Sequence, residues 1–242
     1  MLRFYYVIIV SVPFIIYYLI AATYYCNHED RFDEIRRYKL AQRMVRRVGK
    51  NGRIKTEVTG IENLPGDGGY LMYSNHQGKW DALGILQACE KPSTVVIEKK
   101  ASKVLITNQI INLIHGYRLD RSDMRAQMKM IQQIAKDAKA GRKILIFPEG
   151  GYDKNKNEMQ EFMPGAFKCA SMSGVPIIPI AIYDSYKPFS VNSLKRVTTY
   201  VSFLPPISYE EYKGMNTREV ADLVKEKIQE EINVMEARRA CV

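Results

Sequence analysis

The chain has 242 residues, 46% of them hydrophobic, and a formal net charge of +10. This size and apolar content predict one globular domain with a substantial core, preceded by an apolar N-terminal segment. The four cysteines (26, 89, 169 and 241) are too far apart in sequence for a CxxC metal site or a disulfide framework, and His28 and His115 have no partners at ligand spacing, so we expect reduced thiols and no structural zinc.

The N-terminal segment from Phe4 to Cys26 contains no charged residue. As a helix it would be about 34 Å long, enough to cross a hydrocarbon core of about 30 Å. We therefore predict a membrane anchor over residues 1–27. A cleaved signal peptide is one alternative. A re-entrant or interfacial helix is another, because Pro13 would kink the helix and the pair at 17–18 is two tyrosines.

The next segment is strongly basic. Between Arg31 and Lys55 there are ten Lys or Arg residues and two acidic ones, a surplus of eight. Apolar residues recur at helical spacing from Arg31 to Val48, so residues 28–50 are predicted to include a basic amphipathic helix. Next to an anchor, such a helix suits anionic lipid, and its charge predicts that the domain lies on the cytoplasmic side. The alternatives are the solvated face of an ordinary helix and, without an anchor, a nucleic-acid surface.

From residue 51 onward, segments of strand pattern alternate with segments of helix pattern. Strands are predicted at 53–59, 70–73, 94–97, 117–119, 143–147, 175–183 and 197–203, and helices at 82–88, 102–114, 124–140, 166–173 and 217–239. This alternation predicts an α/β domain with a mixed, largely parallel sheet flanked by helices, over residues 51–242.

Four polar residues follow the ends of predicted strands: His76, Lys99, Arg121 and Glu149. In an open α/β sheet, ligands bind outside the carboxyl ends of the strands. The four positions therefore predict one pocket at that edge of the sheet.

His76 and Asp81 lie between a buried strand and a helix. Five residues apart on one helix they would point about 140° away from each other, but a turn can bring them together. The Asp81 carboxylate would then accept the Nδ1 proton of His76 and leave Nε2 free to act as a base. The alternative is that Asp81 only caps the helix and His76 is an ordinary loop residue.

Four sequence blocks occur in order: NHQGKWD at 75–81, GYRLDR at 116–121, FPEG at 147–150 and VPIIP at 175–179. They resemble the conserved blocks of the glycerolipid acyltransferases, and most closely those of the bacterial 1-acyl-sn-glycerol-3-phosphate acyltransferases. A looser likeness extends from the basic helix to the two prolines at 205–206.

This resemblance implies an acyltransferase domain over residues 51–242. It would move a fatty acyl group from acyl-CoA or acyl carrier protein to the sn-2 hydroxyl of lysophosphatidic acid at a membrane, giving phosphatidic acid without a cofactor. The chain lacks a Gly-x-Ser-x-Gly elbow, so direct attack assisted by His76 and Asp81 is expected rather than an acyl-serine. The resemblance assigns substrate binding to four further residues: Arg121, Glu149, Gly150 and Lys99.

The third block departs from the family pattern. The family continues it with a small hydroxyl residue, arginine and serine, whereas this chain has Gly151, Tyr152 and Asp153. A lysine at 154, 156 or 168 is a candidate substitute for the missing arginine. Two alternatives follow: another lysophospholipid as acceptor, or a non-catalytic membrane lipid-binding protein of the same fold. A nucleic-acid binder is disfavoured because no recognisable module is present.

Overall fold

The computed structural model describes residues 2–153 and 155–240, so the predictions made for Cys241 and Lys154 lie outside it. The other three cysteines are free thiols. The helices are α1 (Leu2–Asn27), α2 (Glu34–Asn51), α3 (Asp81–Ala88), α4 (Leu105–Leu113), α5 (Met124–Lys139), α6 (Lys168–Ser173), α7 (Lys187–Ser190), α8 (Tyr209–Tyr212) and α9 (Thr217–Ala240). The strands are β1 (Ile54–Thr59), β2 (Tyr70–Ser74), β3 (Thr94–Glu98), β4 (Tyr117–Leu119), β5 (Lys143–Ile146), β6 (Ile177–Tyr183) and β7 (Val197–Phe203).

The strands form one seven-stranded sheet in the order β1-β7-β6-β2-β5-β3-β4. Neighbouring strands are parallel except β6 and β7, which run antiparallel. The prediction of a mixed, largely parallel sheet flanked by helices is confirmed. Strands β2, β3, β4 and β5 all point the same way, so the residues that follow them gather at one edge of the sheet.

Helices cover both faces of the sheet. On one face, α2, α3 and α4 pack over a core that includes Trp80, Ile85 and Phe203. On the other face, α5, α6 and α9 pack over a second core that includes Phe167 and Val224. With two buried faces, β2 and β6 are buried at every position, as their continuous apolar runs predicted.

Helix α1 is long and apolar enough to cross a bilayer, and only 11% of its most apolar stretch is buried. Even so, the domain contacts both of its ends. Near the start, the buried Arg3 guanidinium donates to the Pro188 carbonyl at 2.9 Å. Near the end, Gln109 of α4 donates to the Thr23 hydroxyl at 3.2 Å. Helix α1 therefore lies along the domain, packed against α2 and α4.

Two predicted helix starts were wrong. Helix α2 begins at Glu34 rather than at residue 31, because the Asp33 side chain caps it by accepting from the Arg36 backbone N–H at 2.8 Å. Helix α4 begins at Leu105 rather than at 102, because a 3₁₀ turn (Ala101–Lys103) and an extended Val104 precede it.

The predicted helix at 166–173 is a 3₁₀ turn (Pro164–Phe167) followed by α6, since its proline fixes the chain in that first turn. The four-residue helices α7 and α8 were not predicted. They are too short for apolar periodicity to reveal them.

Candidate active site

The turn between β2 and α3 brings His76 and Asp81 together. Asp81 is the first residue of α3, with Trp80 at the N-cap position, so Asp81 does not cap the helix as the alternative interpretation expected. Its buried side chain points back across the turn, and Oδ2 lies 2.6 Å from Nδ1 of His76. The same oxygen accepts the backbone N–H groups of Gln77 at 2.5 Å and Gly78 at 2.8 Å.

This arrangement sets the tautomer of His76. A carboxylate oxygen that accepts two backbone N–H groups is an acceptor for Nδ1 as well, so Nδ1 carries a proton. In the neutral imidazole, Nε2 then keeps its lone pair, and no described residue hydrogen-bonds to it. The His76 side chain is 19% exposed.

Two aromatic rings fix the plane of the imidazole. Phe147, just after β5, stacks on it with ring centroids 4.3 Å apart. Tyr152 meets it edge-on at 4.7 Å. Burial and the Asp81 charge raise the pKa of the Tyr152 phenol, so this neighbour is neutral near pH 7. Sequence reasoning missed both contacts, because neither residue is near His76 in the chain.

Amides hold the turn against the rest of the domain. Asn75 exchanges two hydrogen bonds with the Ile182 backbone of β6, at 2.9 and 3.0 Å. Gln77 donates to Asn157 at 3.1 Å and accepts from the Ser185 N–H at 2.8 Å. Asn155 donates to the carbonyl of His76 itself at 3.1 Å. These residues lie in loops without a sequence pattern, so only tertiary structure identifies them as supports of the site.

Glu149 also contacts the turn. Its Oε1 accepts the His76 backbone N–H at 3.0 Å, while the buried Oε2 has no hydrogen-bond partner among the described residues. Burial raises the pKa of the Glu149 carboxyl to about 7. The group is thus partly protonated near neutral pH.

Gly150 brings Arg121 close to Glu149. Its backbone has φ of 75°, a conformation that favours glycine. A Cβ at this position would meet the Met163 methyl at 2.7 Å and a terminal nitrogen of Arg121 at 3.7 Å. The side chain of the exposed Arg121 therefore lies beside Gly150 and Gly151, in the loop that begins with Glu149.

Lys99 is at the same edge of the sheet but has a partner. Its Nζ lies 2.9 Å from the Asp120 carboxylate, and the lysine is exposed. Hydrogen bonds from Ser122 and Lys99 hold the pKa of Asp120 well below its usual value, so the pair is charged near neutral pH. Of the four residues predicted to share a pocket, Glu149 contacts the His76 backbone, Arg121 lies beside the glycines that follow Glu149, and Lys99 pairs with Asp120, the residue before Arg121. That the four bind one substrate stays a prediction.

The chain is similar in sequence to a family of known proteins. The family model described as Acyltransferase matches residues 55–183, more than half of the chain. The 1-acyl-sn-glycerol-3-phosphate acyltransferases of Salmonella typhimurium and Escherichia coli are each 27% identical over 168 residues, covering 67% of this chain and 68% of theirs. The alpha form from Bos taurus is 28% identical over 180 residues, covering 71% and 61%.

One solved structure is similar over nearly the whole chain. The 1-acyl-sn-glycerophosphate acyltransferase from Thermotoga maritima superposes with a TM-score of 0.79 at 20% identity, covering 98% of this chain and 95% of that one. At that identity the superposition shows a shared fold.

Proposed function

The chain belongs to the acyltransferase family, and from this premise we propose that it transfers a fatty acyl group from an acyl thioester to the sn-2 hydroxyl of lysophosphatidic acid, giving phosphatidic acid. Relatives that align with two thirds of the chain have this activity in their names. The observation that carries the proposal is the 2.6 Å contact between His76 Nδ1 and Asp81 Oδ2, which leaves Nε2 free.

In the proposed reaction His76 is the general base. Its Nε2 takes the proton of the acceptor hydroxyl while the oxygen adds to the thioester carbonyl carbon, and Asp81 stabilises the imidazolium. The C–S bond then breaks, and the thiolate takes the proton back from His76. Such assistance contributes about 10²–10⁴ in rate. No acyl-enzyme is required, and the nearby Ser74 is buried and donates to the Asn75 carbonyl.

Arg121 is the proposed phosphate ligand. Its guanidinium is exposed beside Gly150, and a planar fork of N–H donors suits two phosphate oxygens at once. Lys99 contributes positive charge next to it, although Asp120 offsets part of that charge. Glu149 supports the His76 backbone, and we assign its Oε2, which is buried in this structure, to a glycerol hydroxyl of the bound acceptor. The candidate oxyanion donor in the 150–151 backbone is the Gly151 N–H, because the Gly150 N–H already donates to the Phe147 carbonyl at 3.1 Å.

The acyl donor in this proposal is acyl-CoA or acyl carrier protein, and the chemistry described requires neither metal nor cofactor. A second acceptor class is favoured by Tyr152, whose neutral phenol borders His76 where the family pattern has an arginine. With less positive charge there, another lysophospholipid is the alternative acceptor.

The site would work at the cytoplasmic surface of a membrane. Five exposed basic residues form one row along α2: Arg36, Lys39, Arg43, Arg46 and Lys50. A row of this kind is attracted to anionic headgroups. Because both ends of α1 contact the domain, we favour an interfacial α1, packed with α2 in one leaflet, over a helix that crosses the bilayer.

The test is acyl transfer by the purified protein from a labelled acyl thioester to lysophosphatidic acid and, in parallel, to other lysophospholipids. His76→Ala should remain folded and lose at least about a hundredfold in kcat. Asn155→Ala, which removes a contact to the same backbone, is the control for a structural effect. Substantial transfer by His76→Ala would contradict the proposed mechanism, and no transfer by the unaltered protein to any of these acceptors would contradict the function.

A further inference from the structure

A ridge at residues 99–105, between β3 and α4, exposes two large apolar side chains. Val104 is 56% exposed and Leu105 is 59% exposed, whereas the later α4 residues Ile110, Ile111 and Leu113 are buried in the core. Exposure of two adjacent apolar side chains to water is unfavourable unless another apolar surface covers them. The amino end of α4 therefore departs from the apolar-inward pattern of the rest of the helix.

A 3₁₀ turn and a buried hydrogen bond fix the backbone of the ridge. A 3₁₀ turn (Ala101–Lys103) precedes Val104, and the buried Ser102 donates its hydroxyl to the Lys99 carbonyl at 2.8 Å. Val104 is extended, with φ of −64° and ψ of 128°. This backbone conformation keeps the side chains of Val104 and Leu105 exposed on the surface.

The ridge also continues the apolar surface of α1. Ile106, adjacent to Leu105, lines an apolar cleft together with Phe14, Ile15 and Tyr18 of α1. Of the α1 residues that line the cleft, Ile8 and Phe14 are 37% and 36% exposed. The surface that we assign to lipid on α1 thus extends onto α4.

Positive charges separate the apolar pair from the active site. Lys99, Lys100 and Lys103 are exposed on the ridge. Lys99 binds Asp120, and the next residue, Arg121, lies beside Gly150 and the His76 turn. The ridge is therefore connected to the candidate site through the ion pair between Lys99 and Asp120.

We propose that the 99–105 ridge is a second membrane contact, in which Val104 and Leu105 enter an anionic bilayer and Lys100 and Lys103 bind headgroup phosphates. Apolar side chains bordered by cations match the layers of a lipid interface. An acidic carrier protein would match the lysines but not the continuity with α1, so the bilayer is the better fit. The inference rests on the proposed function, and it would let a long-chain acceptor enter the site from the membrane.

The first experiment compares two double variants of the full chain. Val104→Asp/Leu105→Asp alters the ridge. The control is Met215→Asp/Val234→Asp, which alters two other exposed apolar side chains, 37% and 41% exposed, one just before α9 and one on it. Co-flotation with phosphatidylglycerol–phosphatidylcholine vesicles should weaken at least about tenfold in the ridge variant only. Its transfer to a long-chain acceptor in those vesicles should fall similarly, while transfer to a short-chain, water-soluble lysophosphatidate stays unchanged.

A second measurement locates the ridge directly. The single native tryptophan, Trp80, is 1% exposed, so Leu105→Trp adds one accessible indole. Vesicles with brominated acyl chains should quench its emission, and a Val234→Trp control should not be quenched.

Four results would contradict or redirect these proposals. Unquenched Leu105→Trp, or unchanged flotation of the ridge variant, would overturn the membrane contact. A ridge variant that still floats but loses transfer from soluble acyl carrier protein to the short-chain acceptor would assign the ridge to the donor instead. Failure of the unaltered protein to acylate any acceptor would refute the proposed function while leaving the vesicle result valid on its own.

Discussion

At the scale of single residues, one oxygen of the Asp81 carboxylate has two roles. It holds the His76 imidazole at Nδ1, and it closes the turn by accepting the backbone N–H groups of Gln77 and Gly78. Orientation of the base is therefore inseparable from the backbone conformation of the turn. Loss of the carboxylate would misplace the base as well as change its tautomer.

Arg121 gives a prediction about substrate binding. Arg121→Ala should raise the KM for lysophosphatidic acid at least about tenfold, because a charge-assisted phosphate contact contributes roughly 1.5–3 kcal/mol. The KM for the acyl donor should change little. Initial rates with each substrate varied in turn give both constants.

The matched control is Arg125→Ala, at the second residue of α5 and also exposed. It should leave both constants near those of the unaltered protein. An Arg121→Ala variant impaired toward the donor rather than the acceptor would reverse the assigned role.

Glu149 gives a prediction about pH and stability. Burial raises the pKa of its carboxyl from 4.5 to about 7, so between these values the folded state holds a proton that the unfolded state has released. Stability of the unaltered protein should therefore fall as pH rises through this window and level off above about 7. Glu149→Gln has no carboxyl to titrate at this position. Its free energy of unfolding, relative to that of the unaltered protein, should therefore rise by at most about 3 kcal/mol between pH 4.5 and about 7.

Urea unfolding at several pH values measures the difference. Glu158→Gln, at an exposed position in the same loop, is the control and should follow the unaltered protein at every pH. A Glu149→Gln variant whose stability also parallels the unaltered protein between pH 5 and 8 would show that the carboxyl is not buried as described.

At the scale of elements, α2 is tied to the sheet edge through a buried phenol. The Tyr38 hydroxyl contacts the Leu86 carbonyl of α3 at 2.8 Å and the Ser93 hydroxyl before β3 at 2.9 Å. Gln42, one turn later, donates to the Cys89 carbonyl at 2.8 Å. The carbonyls at the end of α3 are thus satisfied by α2, so the basic helix is part of the fold and not an appended arm.

Tyr38→Phe should therefore lower the free energy of unfolding by about 1–3 kcal/mol, because it removes buried hydrogen bonds to the Leu86 carbonyl and the Ser93 hydroxyl. Thermal or urea denaturation measures this change. Tyr5→Phe, at a position 59% exposed on α1, should be within about 0.5 kcal/mol of the unaltered protein. Equal effects from the two substitutions would mean that the Tyr38 hydrogen bonds do not stabilise the packing of α2.

At the scale of the whole molecule, the apolar α1 and the basic row of α2 lie on one face of the sheet, and α5 and α9 lie on the other. The active-site residues occupy the edge where β2, β3, β4 and β5 end. One molecular face thus carries the features that suit a membrane, while the opposite face has ordinary amphipathic helices. This asymmetry predicts a single orientation on the lipid surface.

Charge reversal tests the orientation. Arg43→Glu/Arg46→Glu on α2 should weaken binding to phosphatidylglycerol vesicles at least about thirtyfold, at roughly 1 kcal/mol for each charge removed near the surface. The loss should shrink as salt rises, because screening weakens the contact in the unaltered protein. Lys129→Glu/Lys136→Glu on α5 makes the same charge change on the opposite face and should bind nearly normally. Equal losses in both variants would indicate attraction by net charge without a preferred face.

The sequence by itself determined the strand and helix order, the sheet class, and the edge where the polar residues gather, because apolar periodicity and strand ends are local properties. It also predicted that a turn would join His76 to Asp81. Only the tertiary structure placed Phe147, Tyr152 and Asn155 around that imidazole, paired Lys99 with Asp120, and laid α1 along the domain. Those contacts join residues far apart in the chain, and no short stretch of sequence encodes which distant side chain will fill the space beside it.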